Sequence, residues 1–365
     1  MSKSPLLKIA VYSPYLDTLG GGEKYMLTIA EYLSKLSNVD LLLDQHLFSL
    51  DIHQVLKKMQ EMHGMDLSKM NLVRAPIGQG SFMASRLKFL RKYDVLICNT
   101  DGSIFPSSAK RSYIHFQVPF TNTNAQGLTG KLKMKTWKEA IYNSNFTKEI
   151  IEKSWPIKGR VIYPPVNVNQ LQALPKKKYI LSVGRFFSVD RSKKHQLMIE
   201  TFKKLIDQDK LKDWALYLAG GASEGDINYL HELENMSRGY RIYIYPNINF
   251  PDLQLLYGHT SIYWHAKGFR EQDPKAFEHF GISTVEAMAA GCVPIVINLG
   301  GQKEIVEDEV SGCLWNTLDE WEELTIKVAE NEKLRKGLGA EAVKRAQKFS
   351  KEEFEKQIHQ LVFGN

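Results

Sequence analysis

Short apolar runs alternate with amphipathic stretches through the first half of the chain. Leu7–Tyr12 has the pattern of a buried strand, and a glycine-rich turn follows it. Over Glu23–Leu36, Met26, Ile29, Ala30, Leu33 and Leu36 recur at the i, i+3, i+4 spacing that gathers them on one helical face. Val39–Leu43, Asn71–Ala75 and Asp94–Cys98 read as further buried strands, with helical stretches between them. Such alternation predicts βαβ units and a parallel sheet covered on both faces.

The pattern breaks at Tyr163-Pro164-Pro165-Val166, and a polar stretch then leads to Pro175-Lys176-Lys177-Lys178, which reads as an interdomain connection. A second series follows. Strands are expected at Tyr179–Val183, Ala215–Ala219, Arg241–Tyr245, Ile262–Trp264 and Val293–Ile297. Helices are expected at Gln196–Asp207, Ile227–Met236, Leu253–Tyr257 and Thr284–Ala290. Two α/β series joined by a proline-rich segment predict two doubly wound domains with a cleft between them. The expected bounds are 1–168 and 176–345, with 346–365 as a terminal element. Lys351–Leu361 is an amphipathic helix through Phe354, Ile358 and Leu361.

The chain has 365 residues with 43% hydrophobic and 24% charged residues, which rules out a largely disordered or fibrous protein. No apolar run reaches the roughly 18 residues that cross a bilayer. Met1–Lys8 has charge but no apolar signal core after it. Cys98, Cys292 and Cys313 form no CxxC pair, so neither a disulfide framework nor a thiolate metal site is indicated. These features predict a cytosolic protein. Net charge is +7, distributed unevenly: residues 1–175 hold 22 lysines and arginines against 13 acidic residues, and the remainder 26 against 28. A basic first half suits an anionic partner or a simply solvated surface, and the count alone leaves both open.

The richest chemistry lies in Glu278-His279-Phe280-Gly281-Ile282-Ser283-Thr284-Val285-Glu286. Here a glycine turn opens onto a helix whose orphan amides and dipole favour a phosphate or another polar oxygen. Two carboxylates flank the turn and suit the gripping of sugar hydroxyls. Ser283 to Glu286 equally fits an S-x-x-E capping box, in which Glu286 only satisfies the helix start. Gly184-Arg185 follows a strand directly, and Lys193-Lys194 opens the next helix. An arginine fork with a lysine point charge there would clamp a diphosphate, or both could be solvated loop residues.

Gly20-Gly21-Gly22 permits close backbone approach but is not GxGxxG, so a dinucleotide dehydrogenase is disfavoured. His115 ends a strand and is read either as a site residue or as a packed histidine. Asp207-Gln208-Asp209 matches a DxD but ends an amphipathic helix among lysines, so a solvated helix end is the better reading. HExxH, metal-spaced His/Cys clusters and a Walker motif are absent.

Taken in order, these segments resemble the retaining GT-B glycosyltransferases of the family 4 type over nearly the whole chain. Glu278 and Glu286 reproduce the E-x7-E motif. Gly184-Arg185 with a following lysine reproduces the donor clamp. Asn143–Thr147, Tyr163–Val166 and Gly300-Gly301-x-x-Glu304 match three further signatures. The resemblance implies two Rossmann-like domains facing a cleft, with the C-terminal helix packing back toward the first. It implies transfer of a hexose from a nucleotide-diphosphate sugar to a lipid-linked or glycan acceptor, with neither cofactor nor metal.

Carried over residue by residue, Glu286 would hold the ribose and Glu278 the transferred sugar. Arg185 and Lys193 would neutralise the departing diphosphate. Amides of Phe280, Gly281, Ile282, Ser283 and Thr284 would hold sugar and phosphate oxygens, Gly21 and Gly22 would complete the phosphate side, and His115 would lie near the anomeric centre. Which of Lys193 and Lys194 reaches the phosphate stays open. The Gly-Gly-Gly-Glu loop and HFGI segment resemble mannosyltransferases of lipid-linked oligosaccharides, which points to GDP-mannose as donor and leaves UDP-sugars open. The basic residues Arg86, Lys88, Arg91, Lys92, Lys131, Lys133, Lys135 and Lys138 would meet anionic lipid, as a peripheral contact at the cytoplasmic inner face, or an acceptor pyrophosphate, and no nucleic acid is expected. Two alternatives stand beside this reading: a catalytically silent sugar-nucleotide-binding subunit, and a GT-B phosphorylase or epimerase.

Overall fold

The computed structural model describes residues 6–18, 20–78, 80–121 and 125–364. The basic start Met1–Pro5 lies outside them. The chain divides into two compact units, one of residues 1–165 with 352–365 and one of residues 166–351.

The first unit is built on seven parallel strands: β1 (Lys8–Tyr12), β2 (Asn38–Leu43), β3 (Asn71–Arg74), β4 (Val95–Asn99), β5 (Arg111–Phe116), β6 (Glu139–Tyr142) and β7 (Gly159–Val161). Their order in the sheet is β3-β2-β1-β4-β5-β6-β7. β1 pairs with β2 from Lys8 opposite Asn38 and with β4 from Ile9 opposite Val95. Parallel central strands are covered on both faces, and their sequences are accordingly continuous apolar runs. One face packs Ile9, Val11, Leu41 and Ile97 against the helix Gly21–Ser34. The other packs Ala10, Leu42, Leu96 and Ile114 with Trp137 and Trp155.

The C-terminal helix Lys351–Phe363 belongs to the first of these faces. Phe354, Ile358, Leu361 and Val362 are buried beside Tyr25, Met26 and Ile29. Tyr113 Oη donates to Leu361 O at 3.1 Å, and Arg111 Nη1 to Val362 O at 2.8 Å, closing the helix's last carbonyls. Each such buried side chain contributes about 1.5–3 kcal/mol, which offsets part of the entropy of ordering the terminal helix.

The second unit has six parallel strands: β8 (Lys177–Val183), β9 (Ala215–Gly220), β10 (Ile242–Pro246), β11 (Thr260–His265), β12 (Val293–Ile297) and β13 (Cys313–Trp315). Their order is β10-β9-β8-β11-β12-β13. The core holds a tryptophan group in which Trp315 stacks on Trp321 at 4.8 Å and Trp264 Nε1 donates to Thr325 Oγ1 at 3.1 Å.

Element bounds shift by a few residues from those expected. The helix expected at Leu253–Tyr257 runs Phe250–His259, capped by Asn249, whose side chain accepts from Asp252 N. Residues 166–175, expected as part of a connection, pack into the second unit: Val168 and Leu171 are buried, and Leu174 N donates to Gly258 O at 3.1 Å. The three cysteines are free and buried.

Candidate functional site

In the second sheet the chain leaves β8 toward β9 and β10, and β11 starts the run in the other direction. The crevice outside the carboxyl ends of β8 and β11 is therefore the topological switch point, where open α/β sheets bind ligands. Arg185 and Lys193 follow β8, and His265 and Lys267 end and follow β11.

Lys193 is fixed here by its neighbours. Gly184 carries no side chain, and a Cβ there would come within 2.8 Å of the Lys193 stem, so the bare backbone gives that stem its path. Phe186 is buried and stacks on His195 at 4.6 Å, anchoring the loop from below. Lys193 Nζ then donates to Glu278 Oε2 at 2.5 Å. Lys194 turns away in the left-handed region at φ 61° and pairs with Glu271. Lys193 is thus the lysine that reaches the site. Arg185 is exposed at the carboxyl end of β8 and makes no ion pair among the described residues.

Glu278 gathers two lysines and one histidine. Besides Lys193, His265 Nε2 lies 3.2 Å from Oε2 and Lys267 Nζ lies 4.0 Å from Oε1. Burial pushes the carboxyl up, but Lys193, Lys267 and His265 together outweigh it and hold Glu278 well below the usual carboxylate range. Burial also lowers Lys267 and His265, each opposed by the Glu278 charge. Lys267 and His265 were not singled out in the sequence. Their only signal there is their position at the end of an apolar strand, Ile262-Tyr263-Trp264.

The turn after Glu278 departs from the capping box. Gly281 is the cap residue at φ 125°, and the helix runs Ile282–Ala289, so Ser283 already lies within its first turn. Ser283 Oγ accepts from Tyr263 Oη at 2.8 Å, and Glu286 Oε2 accepts from Tyr257 Oη at 3.0 Å. Gly281 makes this start available because a side chain there would be strained and would collide with Gln302. Gly301 N donates to Glu278 O at 2.8 Å, clipping the 300–301 turn to the same backbone. Thr284 Oγ1 and both polar atoms of the Gln302 side chain are buried without a hydrogen-bond partner. Orphaned polar atoms beside a helix's free amides fit a ligand rich in oxygens.

The remaining expected residues lie in the first unit. Gly21 starts the helix Gly21–Ser34, Gly20 N–H donates to Glu23 Oε2 at 2.8 Å, and the Gln117 side chain packs over Gly22. His115, expected near the anomeric centre, lies inside the first unit. It is 0% exposed, stacked on Tyr25 at 4.1 Å, with Nε2 3.0 Å from Gln117 Oε1. Burial lowers its pKa to about 4, so the ring is neutral near pH 7. Gln117 stands on its Nε2 edge, and Nδ1 is buried without a hydrogen-bond partner. Arg86, expected on a membrane-facing surface, is instead half-buried with its guanidinium 4.8 Å from the Phe105 ring. Asp207 accepts from Tyr240 Oη at 2.9 Å and Asp209 pairs with Lys212, as a solvated helix end does. Among the described residues no group of three His, Cys, Asp or Glu could hold a metal ion.

Residues 166–345 match the family model described as "Glycosyl transferases group 1". The chain is 25% identical over 329 residues to the alpha-1,3/1,6-mannosyltransferase ALG2 of Dictyostelium discoideum, covering 74% of this chain and 76% of that protein. It is 28% identical over 214 residues to the GDP-Man:Man(3)GlcNAc(2)-PP-Dol alpha-1,2-mannosyltransferase of the same organism. That match takes in 54% of this chain and 40% of the relative, so the chain spans about two fifths of that protein's length. The crystal structure of Anabaena Alr3699/HepE in complex with UDP and glucose superposes with a TM-score of 0.69 at 18% identity, covering 98% of this chain and 99% of that one. At that identity the likeness shows the fold, which is GT-B.

Proposed function

With residues 166–345 belonging to the glycosyl transferases group 1 family, we propose that this chain transfers a hexose from a nucleotide-diphosphate sugar to a phosphate-linked glycan. The observation that carries the reading is the ion pair of Lys193 with Glu278, set at the switch point beside the opening of the helix Ile282–Ala289. A diphosphate needs positive charge and N–H donors, and a sugar needs a carboxylate that stays ionised. Both lie within one crevice of one unit.

In this reading the diphosphate takes Lys193, Arg185 and the amides of 280–283, the Thr284 N–H being held by Gly281 O, while Glu286, braced by Tyr257, takes the ribose hydroxyls. Glu278 then turns from Lys193 to the transferred hexose, and Lys267 holds its charge. The sugar C1–O bond to the diphosphate breaks as the acceptor oxygen bonds to C1. The acceptor proton passes to the departing diphosphate, whose growing charge Lys193 and Arg185 stabilise. Attack from the leaving-group face retains the anomeric configuration, and the cationic side chains meet the diphosphate charge with no metal. Mannose from GDP is the favoured donor, since both relatives are named mannosyltransferases and the alpha-1,2-mannosyltransferase carries GDP-Man and a PP-Dol-linked glycan in its name.

A peripheral membrane contact goes with this acceptor. The helices Met83–Leu90 and Leu128–Met134 are both tied to the loop 103–109, through Ser108 Oγ to Leu87 O and Trp137 Nε1 to Phe105 O. Around them Phe82 and Leu128 are 82% and 77% exposed, beside Lys88, Lys131, Lys133 and Lys135. The test offers GDP-mannose, UDP-glucose and other nucleotide sugars with a polyprenyl-diphosphate-linked oligosaccharide, with and without chelator. Chelator-insensitive mannosyl transfer with an α-linked product by NMR supports the reading. Transfer that needs a divalent ion, or a β-linked product, overturns the mechanism.

A further inference from the structure

Lys193 and Lys194 are neighbours in sequence, and each pairs with a carboxylate of the chain that follows β11. In the transferase reading a diphosphate draws Lys193 off Glu278, but nothing draws Lys194 off its own partner. Lys194 Nζ donates to Glu271 Oε1 at 2.5 Å, with the two side chains 23% and 38% exposed. Lys194 stands at φ 61° and ψ 35° as the cap residue of the helix His195–Asp207, and its side chain makes no capping bond. Glycine adopts that conformation freely, whereas a residue with a Cβ does so at a cost. Arg270, next to Glu271, also has φ 61°. Backbone strain on both sides of one ion pair is held where the surrounding structure has a use for it.

Glu271 lies on a closed loop. Gly268, at φ 101°, sits so near the Phe277 ring that a Cβ there would come within 3.2 Å of it, so the two ends of 268–277 are drawn together. Lys267 and Glu278 flank that neck, with Lys267 Nζ 4.0 Å from Glu278 Oε1. Phe269 seats one side of the loop against Trp315 at 5.3 Å, and His279 Nε2 lies 3.1 Å from Lys275 O on the other. The Lys194–Glu271 pair ties the body of this loop to the segment that follows β8.

We propose that Lys194 and Glu271 are a positioning pair for sugar transfer. They keep the loop 268–277 docked after Lys193 has turned to the diphosphate, so that Lys267 remains the counter-charge of the carboxylate that holds the hexose. The pair touches no reacting atom and acts through Lys267. This role rests on the transferase reading above, whereas the tie itself rests on the geometry alone.

Three measurements on the full chain test it: steady-state kinetics with the nucleotide sugar, calorimetric titration with plain nucleoside diphosphate, and hydrogen exchange of 267–277 in the free protein. Glu271→Gln and Lys194→Gly should each quicken exchange in this loop. Both should lower kcat/KM for the nucleotide sugar about tenfold, the scale of one largely buried ion pair, and leave nucleoside-diphosphate affinity within about twofold of wild type. Lys194→Arg should keep most of the activity. Lys194→Gly also relieves the strained cap, so its Tm should hold or rise while activity falls, a divergence that a purely structural pair would not give. Lys267→Met should lose as much as Glu271→Gln, and the double variant no more than Lys267→Met alone, because residues that act through one another are not additive.

Losses that add in full overturn the proposal, as does wild-type kcat/KM in Glu271→Gln. An equal loss of nucleoside-diphosphate affinity also overturns it, since the pair would then be serving Lys193. Unchanged exchange in both variants removes the tie whether or not transfer occurs. If exchange quickens while even the wild type turns over no donor, the tie stands and its role in transfer falls with the transferase reading.

Discussion

Lys193 and Glu278, 85 residues apart in sequence, share one 2.5 Å ion pair, so each already holds the partner that a substrate would have to replace. Glu278→Gln removes the carboxylate's hold on Lys193 without changing the shape of the site. Plain nucleoside diphosphate should then bind as well as to the wild type or more tightly, while turnover of the nucleotide sugar falls about a hundredfold or more, the scale of one lost stabilising contact. Lys193→Ala should weaken both. Titration with nucleoside diphosphate beside steady-state kinetics separates the two effects.

His115 gives a pH signature in the first unit. Its folded pKa is about 4 against an ordinary value near 6.5, lowered by burial. Below about pH 6.5 the unfolded chain takes up a proton that the folded ring refuses, so stability is full above that pH and declines as pH falls toward 4. His115→Phe preserves stacking on Tyr25 and should reduce proton uptake on unfolding by about one near pH 5. Denaturant unfolding across pH 4–7 measures it. An unchanged slope contradicts the neutral buried ring. His195 and His279, lowered by burial to about 3 and about 4, keep part of the slope in the variant.

Gly281→Ala imposes a side chain at φ 125° and drives it against Gln302. A cost of about 1–3 kcal/mol is expected, with a fall in Tm of roughly 2–4 °C for each kcal/mol. Calorimetry checks this, and a melting point equal to wild type would show that the turn is not fixed by this glycine.

The exposed Phe82 and Leu128 with Lys131, Lys133 and Lys135 predict salt-sensitive binding to anionic vesicles. Replacing the three lysines by alanine should remove about 1 kcal/mol each, and Phe82→Ser with Leu128→Ser should abolish what high salt leaves. Flotation that ignores salt, lipid charge and these substitutions removes the membrane contact from the account.

The strands and most helices were legible because central parallel strands are continuous apolar runs and helices between them keep a 3.6-residue period. Glu278, Glu286 and Lys193 were candidates through the ordered set of motifs, since spacing alone left Glu286 to a capping box and Lys193 undistinguished from Lys194. The S-x-x-E alternative at Ser283 falls because Gly281 adopts a positive φ and starts the helix sooner. His265 and Lys267 were missed because no short motif joins them to Glu278; they arrive beside it only when β11 takes its place next to β8. His115 could not be decided from its strand, since whether a strand-end ring meets solvent or Tyr25 is a matter of packing.

The central claim is that the crevice of Lys193, Glu278 and Glu286 is where a nucleotide sugar is held and cleaved. Nucleoside-diphosphate release from a donor panel, measured for wild type and for Glu286→Ala at matched thermal stability, tests it most directly. The account predicts release from one donor, stimulated by acceptor and lost by at least about tenfold in the variant, as follows from removing a carboxylate's hydrogen bonds to the ribose. Equal background release by both proteins with every donor would contradict it and favour a silent binding subunit.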